Sequence, residues 1–314
     1  MDGYYISALL ESREIYMFKK LHKTVAVVTV IAALTTSCRS NEEYKKLAKA
    51  ADDYTEATDQ LLEEAGDIQI QTTSEVVLRN YLGVTGYYTK KENEVEYRQL
   101  SQKDKKILDL FTEVRNHNRL LQSYFYKLQE LATSDAPERV EADIENTLSG
   151  LQMSRAKILD LSPSPINIPG LFAQIGQIEV SNKINNTIKK ELERNSKVIF
   201  QELQLQQELL KKIKDIVESN IKYKQELQET RLIVTPLKNQ QLLLADDLTN
   251  WIKTRQDIFN SDINTIVGIN SSISLLEDFS NSFRNAINLK ISNEEINKVT
   301  QDTNSFINFV STNK

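Results

Sequence analysis

Few side chains in this 314-residue chain could do covalent chemistry. There is one cysteine, Cys38, and beyond the first forty residues the sole histidine is His117. A Ser-His-Asp arrangement would have to be built around His117, and no G-x-S-x-G turn accompanies it. A zinc site would lack the usual His/Cys cluster. Neither the G-x-x-x-x-G-K-[ST] phosphate loop nor G-x-G-x-x-G occurs. The carboxylate pairs Asp246/Asp247 and Glu294/Glu295 lie in helical stretches, where adjacent acids are solvated faces or partners of a helix N-terminus. A glycosidase-like pair stays open from sequence, but the expectation is a protein that is not an enzyme, with no catalytic residue, metal or cofactor.

One cluster is unusual. Arg115, His117 and Arg119 stand just before Tyr124, Phe125 and Tyr126. In one reading these cations grip an anionic group, a carboxylate or lipid phosphate. In the other, the arginines face out, the aromatics pack inside and His117 is hydrogen-bonded at the margin. Asn118, on the apolar stripe, reads as a buried amide that sets register. Trp251 and Phe259 read as core.

The first forty residues carry an address. Residues 1 to 16 look out of place, and Met17 is the better start. It opens a basic stretch with Lys19, Lys20 and Lys23, followed by an apolar run over residues 24 to 37. That run is short for a membrane span and suits a signal peptide, residues 1–37. It ends Leu34-Thr35-Thr36-Ser37-Cys38, which resembles the lipobox of bacterial lipoproteins, with Thr35 where leucine is usual. The resemblance implies a diacylglycerol thioether on Cys38, cleavage before it and acylation of the new amino group. It also implies attachment to a membrane of the bacterial cell envelope, with no choice between membranes. Arg39 follows, not the aspartate that retains enterobacterial lipoproteins in the inner membrane.

The elements that must carry these residues are helices. Eight glycines and five prolines are too few for turn-rich sheets. Residues 177 to 235 contain neither, and Ile184, Ile188, Leu192, Ile199, Leu203, Leu210, Ile213, Val217, Ile221 and Leu227 recur there at helical spacing. Such a helix is roughly 90 Å long and needs a cover for its stripe. Upstream, Tyr44, Leu47, Ala51, Tyr54, Thr58, Leu61 and Ala65 form a heptad-like seam, with Gly66 as its expected stop and a second helix over about 71 to 81. Residues 83 to 100 are ambiguous. Ser101 to Asp104 reads as a capping box, and Asp135 as an N-cap ahead of Pro137. Residues 162–170, SPSPINIPG, hold three of the five prolines and read as a stiff connector. Pro236 kinks or ends the long helix. After it, Leu237, Leu244, Leu248, Trp251, Ile252, Phe259, Ile263 and Ile266 should cover that helix, stopping near Gly268. A helix from about Ser271 and a last one capped by Ser292 and Glu295 complete the chain.

These readings combine into an all-α fold: an elongated antiparallel bundle with one very long helix at about 171–235. A helical region spans 38–161 and a long-helix bundle spans 171–314, either side of the 162–170 connector. The segment RNHNRLLQSYFYKLQELATSDAP and the opening Y-x-x-L-A-x-A-x-x-x-Y resemble all-helical bacterial envelope lipoproteins over roughly residues 17 to 160. That likeness brings an address, not an activity. A net charge of −5 does not suggest a nucleic-acid surface. The expected role is a lipid-anchored scaffold with envelope protein partners. Long stripes pair within one chain or between copies, so a homo-oligomer is also open. The alternative, a helical pore-forming or membrane-inserting toxin-like protein, meets only short apolar runs such as residues 242–244.

Overall fold

Apolar side chains at three- and four-residue spacing are buried along every long helix but one in the computed structural model of the chain. The structure describes residues 36–81, 90–182, 184, 186–238, 245–288 and 292–312. Residues 1–35 of the expected signal peptide, 1–37, lie outside them, and of Cys38 only the backbone is described. Among the described residues the fold has seven long helices, besides a short one at Ile168–Phe172: α1 Thr36–Tyr81, α2 Lys90–Thr133, α3 Pro137–Leu161, the long helix α4 over 186–238, α5 Ala245–Asn260, α6 Ile263–Ile287 and α7 Asn293–Thr312. There is no strand among the described residues, so the fold is all-α.

Bonds across the helices fix their directions. Asn80 donates to Glu96, Gln69 to Asp104, and Arg119 to Asp59, so α1 and α2 are antiparallel. Asn220 donates to Gln69 and Arg231 to Glu75, so α4 runs parallel to α1. Thr265 donates to Glu64 and Ser272 to Tyr54, which sets α6 antiparallel to α1. Ser272 also bonds Thr58 at 3.0 Å, and burial of this hydroxyl chain pushes the Tyr54 phenol up to about 12. Residues from both sides of the proline-rich connector share one core, in which Phe125 meets Phe279 and Phe283 edge-on at 4.8 and 5.0 Å.

The glycines correct two expected stops. Gly66 lies inside α1, which runs unbroken for 46 residues, and Gly268 lies inside α6. A Cβ on Gly66 would sit 2.9 Å from Leu108 Cδ2, and one on Gly268 2.5 Å from Leu61 Cδ2. Both glycines serve close helix packing, not termination. The break ahead of α6 falls instead at Asp262, whose φ of 61° is left-handed.

The caps divide in the same way. Ser292 and Glu295 exchange bonds of 3.1 and 2.9 Å as the sequence suggests. Asp104 is no cap: it lies well inside α2 and accepts from Gln69 and Thr73 of α1, each at 2.8 Å. Pro137 does open α3, but the N-cap is Ala136, without a side-chain bond, not Asp135.

The long helix spans 53 residues but begins at Asn186, later than 171 or 177. Gly176, with φ 67°, ends a short helical segment, and the chain then runs extended. Ile178 and Val180 pack on the core, and Ser181 N–H donates to the Ile287 carbonyl at 3.1 Å. The connector must return along α3 before α4 can start, and an extended chain covers about twice the distance of a helix per residue. Pro236 lies inside the helical run, which continues to Lys238. It lacks the N–H that would bond Leu232, and a π-turn over Glu229–Val234 absorbs the loss, with Thr235 N–H and Oγ1 both bonding the Thr230 carbonyl.

Candidate functional site

Arg115 and Arg119 are four residues apart and share a face of α2, while His117, two residues on, lies about 200° round the helix. The structure separates them accordingly. Arg119 Nε donates to Asp59 Oδ2 at 2.8 Å, and Arg115 reaches Asp59 and, at 2.9 Å, Glu63. Carboxylates of α1 therefore already occupy the anticipated anion patch. Burial pushes the Asp59 carboxyl above its ordinary value, against the lowering effect of the two guanidiniums.

His117 faces into the bundle, fully buried, not at the margin. Its Nδ1 lies 3.0 Å from Gln206 Oε1 and its Nε2 3.2 Å from Glu202 Oε2. Arg155 of α3 donates to the other carboxylate oxygen of Glu202 at 2.6 Å. Glu202 and Gln206, one turn apart on α4, thus hold the ring from a single face. Both ring nitrogens therefore meet side chains of α4, and Arg155 sets a cation on the far side of the Glu202 carboxylate. Gln206 Nε2 has no partner among the described residues. The cluster ties α2, α3 and α4 together with its reactive atoms sealed from solvent. Asn118, beside it, is buried as expected, and its Nδ2 has no partner among the described residues.

Sequence reasoning did not single out Glu202, Gln206, Arg155 or Asp59. The spacing of Arg115, His117 and Arg119 was enough to split that trio. Nothing in the stripe of α4 shows that Glu202 and Gln206 lie inside, because their burial depends on α2 and α3 both packing on that helix. No group of three or more His, Cys, Asp or Glu side chains among the described residues could hold a metal ion.

The exception to the buried stripes is α5. Leu248, Ile252 and Phe259, expected in the core, are exposed, Ile252 by 52%, and Trp251 is only partly buried, its Nε1 donating to the Ile233 carbonyl at 3.3 Å. Leu237, Ile263 and Val267 beside this helix are exposed too. Cover for α4 comes chiefly from α1, α2 and α6. The bonds given above place the ends of α1 and α4, the start of α2 and all of α5 at one end of the bundle. Ile70, Leu78, Tyr81, Val95, Tyr97 and Tyr223 are exposed there as well. Among the described residues, Tyr126, Met153 and Leu159 are the exposed large hydrophobics that lie elsewhere. Cys38 begins α1 at the opposite end. Among the described residues, no helix is long and apolar enough to cross a membrane.

No family model, curated protein or solved structure matches the chain.

Proposed function

We propose that this is a bacterial envelope lipoprotein, anchored through acylated Cys38, whose helical body holds a docking surface for an envelope protein partner away from the bilayer. The observation that carries the reading is the gathering of exposed apolar side chains at the end of the bundle opposite Cys38. Apolar surface gathered in one place on a folded body, and not scattered singly, is the kind that marks interaction sites. At 1.5 Å per residue, α1 alone separates Cys38 from Tyr81 by roughly 65 Å. Two or three acyl chains would hold the foot firmly where one would not.

The test has two parts. Cys38→Ala protein should leave the membrane fraction, and mass spectrometry of the native protein should show lipid on residue 38. A photo-crosslinking residue at Leu248 or Ile252 should capture a discrete partner in the native host, and one at Met153 should not. An unlipidated Cys38, or equal capture at all three positions, would overturn the reading.

A further inference from the structure

At the Cys38 end, α1 and α2 enclose a groove of about 710 Å³. Lys45, Lys46 and Lys49 line it from α1, and Gln122 and Tyr126 from α2. Asp52 is the acid in the lining, and it accepts a bond from Gln122. Lys49 pairs with Asp53 at 2.8 Å. Lys46 makes one long contact, 3.5 Å, to Asn297, and Lys45 is exposed with no partner among the described residues. Asp53 and Asp52 offset two of the three cations, which leaves one net positive charge in the groove, with Lys45 and Lys46 bonded to no carboxylate among the described residues. Tyr126, 60% exposed, and the lysine stems supply apolar walls.

We propose that this groove binds the phosphate of an anionic phospholipid headgroup, with Lys45 and Lys46 on the phosphate oxygens and Tyr126 against the glycerol body. The volume exceeds what a bare phosphate fills and falls within the range of small-molecule sites. The groove lies roughly 10–16 Å along α1 from Cys38, just above a headgroup layer that extends roughly 5–8 Å beyond the hydrocarbon, and the long lysine stems on its lower edge span the difference. Interfacial tyrosine and basic side chains suit that layer. The placement at a bilayer rests on the lipid-anchor reading. The phosphate chemistry does not.

The test uses the full chain in nonionic detergent at low salt, titrated calorimetrically with dihexanoyl-phosphatidylglycerol, dihexanoyl-phosphatidylcholine and inorganic phosphate. Saturable binding of the glycerol lipid is expected, weakened on the order of tenfold or more by combined Lys45→Ala, Lys46→Ala and Lys49→Ala. The same number of substitutions at exposed Lys190, Lys197 and Lys211 should leave it unchanged. Tyr126→Ala should weaken lipid binding but not phosphate binding. Inorganic phosphate binding as tightly as the glycerol lipid would overturn the lipid assignment, and equal binding of the choline lipid would overturn the need for an anionic one. Absent binding, or binding indifferent to the three lysines, would overturn the site. Mass spectrometry of the same preparation separates the two readings. Binding by protein unlipidated at Cys38 would sink the anchor and keep the phosphate site, and lipidated protein that does not bind would do the reverse.

Discussion

His117 Nε2 and Glu202 Oε2 lie 3.2 Å apart with neither side chain exposed, although 85 residues separate them in the chain. The pair joins α2 to α4 inside the bundle, and Arg155 extends it to α3. Removing one member of such a buried set leaves the others desolvated and unpaired, which costs about 3–5 kcal/mol. Glu202→Ala should lose that much in urea unfolding, and Glu202→Gln, which keeps an acceptor, considerably less. A Glu202→Ala protein with wild-type stability would show that something else holds His117 in place.

The two helix glycines should respond differently to alanine. Each substitution gains about 1 kcal/mol of helix propensity. At Gly66 the obstructing atom is the tip of Leu108, which is only half-buried and can move. Gly66→Ala is expected to be near neutral or slightly stabilising. At Gly268 the obstacle is Leu61, buried at 2% exposure and closer, so overpacking should outweigh propensity and Gly268→Ala should cost about 1–2 kcal/mol net. Thermal melts of the two proteins would separate these outcomes.

Asp262 has two tasks. It adopts a left-handed backbone, and its carboxylate pairs at 2.5 Å with Lys224, which is 3% exposed. Asp262→Ala loses the residue type that tolerates this conformation and leaves the buried ammonium with the Gln71 amide oxygen at 2.9 Å in place of a carboxylate, for an expected cost of about 3 kcal/mol. Asp262→Asn keeps the backbone preference and a polar partner and should cost less. Equal losses in the two proteins, measured by denaturant unfolding, would mean that the backbone preference contributes nothing and the carboxylate charge carries the whole effect.

Glu191 gives a pH dependence of known sign. Burial raises its carboxyl above 4.5, with bonds from Asn195 and Tyr124 opposing the shift. A raised acid binds more protons folded than unfolded between its two pKa values. Its share of stability is therefore present below the unfolded value and is lost as pH rises through the folded one. Relative to wild type, Glu191→Gln should gain in melting temperature as pH rises from 4.5 through the raised value of the folded carboxyl. A difference that stays constant with pH would contradict the shift.

Periodicity and breaker chemistry determined the helices. The stripes of α2, α3 and α4 and the Ser292–Glu295 cap follow from spacing and residue type, because those features act within a few residues. Resemblance at Cys38 suggested where the chain lives. Whether a helix passes through Gly66 or Gly268 depended on what packs beside it, and tertiary contact with Leu108 and Leu61 decided both. The same holds for Asp104, drawn into α2 as a partner for α1, and for Leu248, Ile252 and Phe259, apolar at helical spacing yet left uncovered. A one-dimensional pattern records which face of a helix is apolar. It does not record how many neighbours that helix acquires, and here that number buried Glu202 and exposed Ile252.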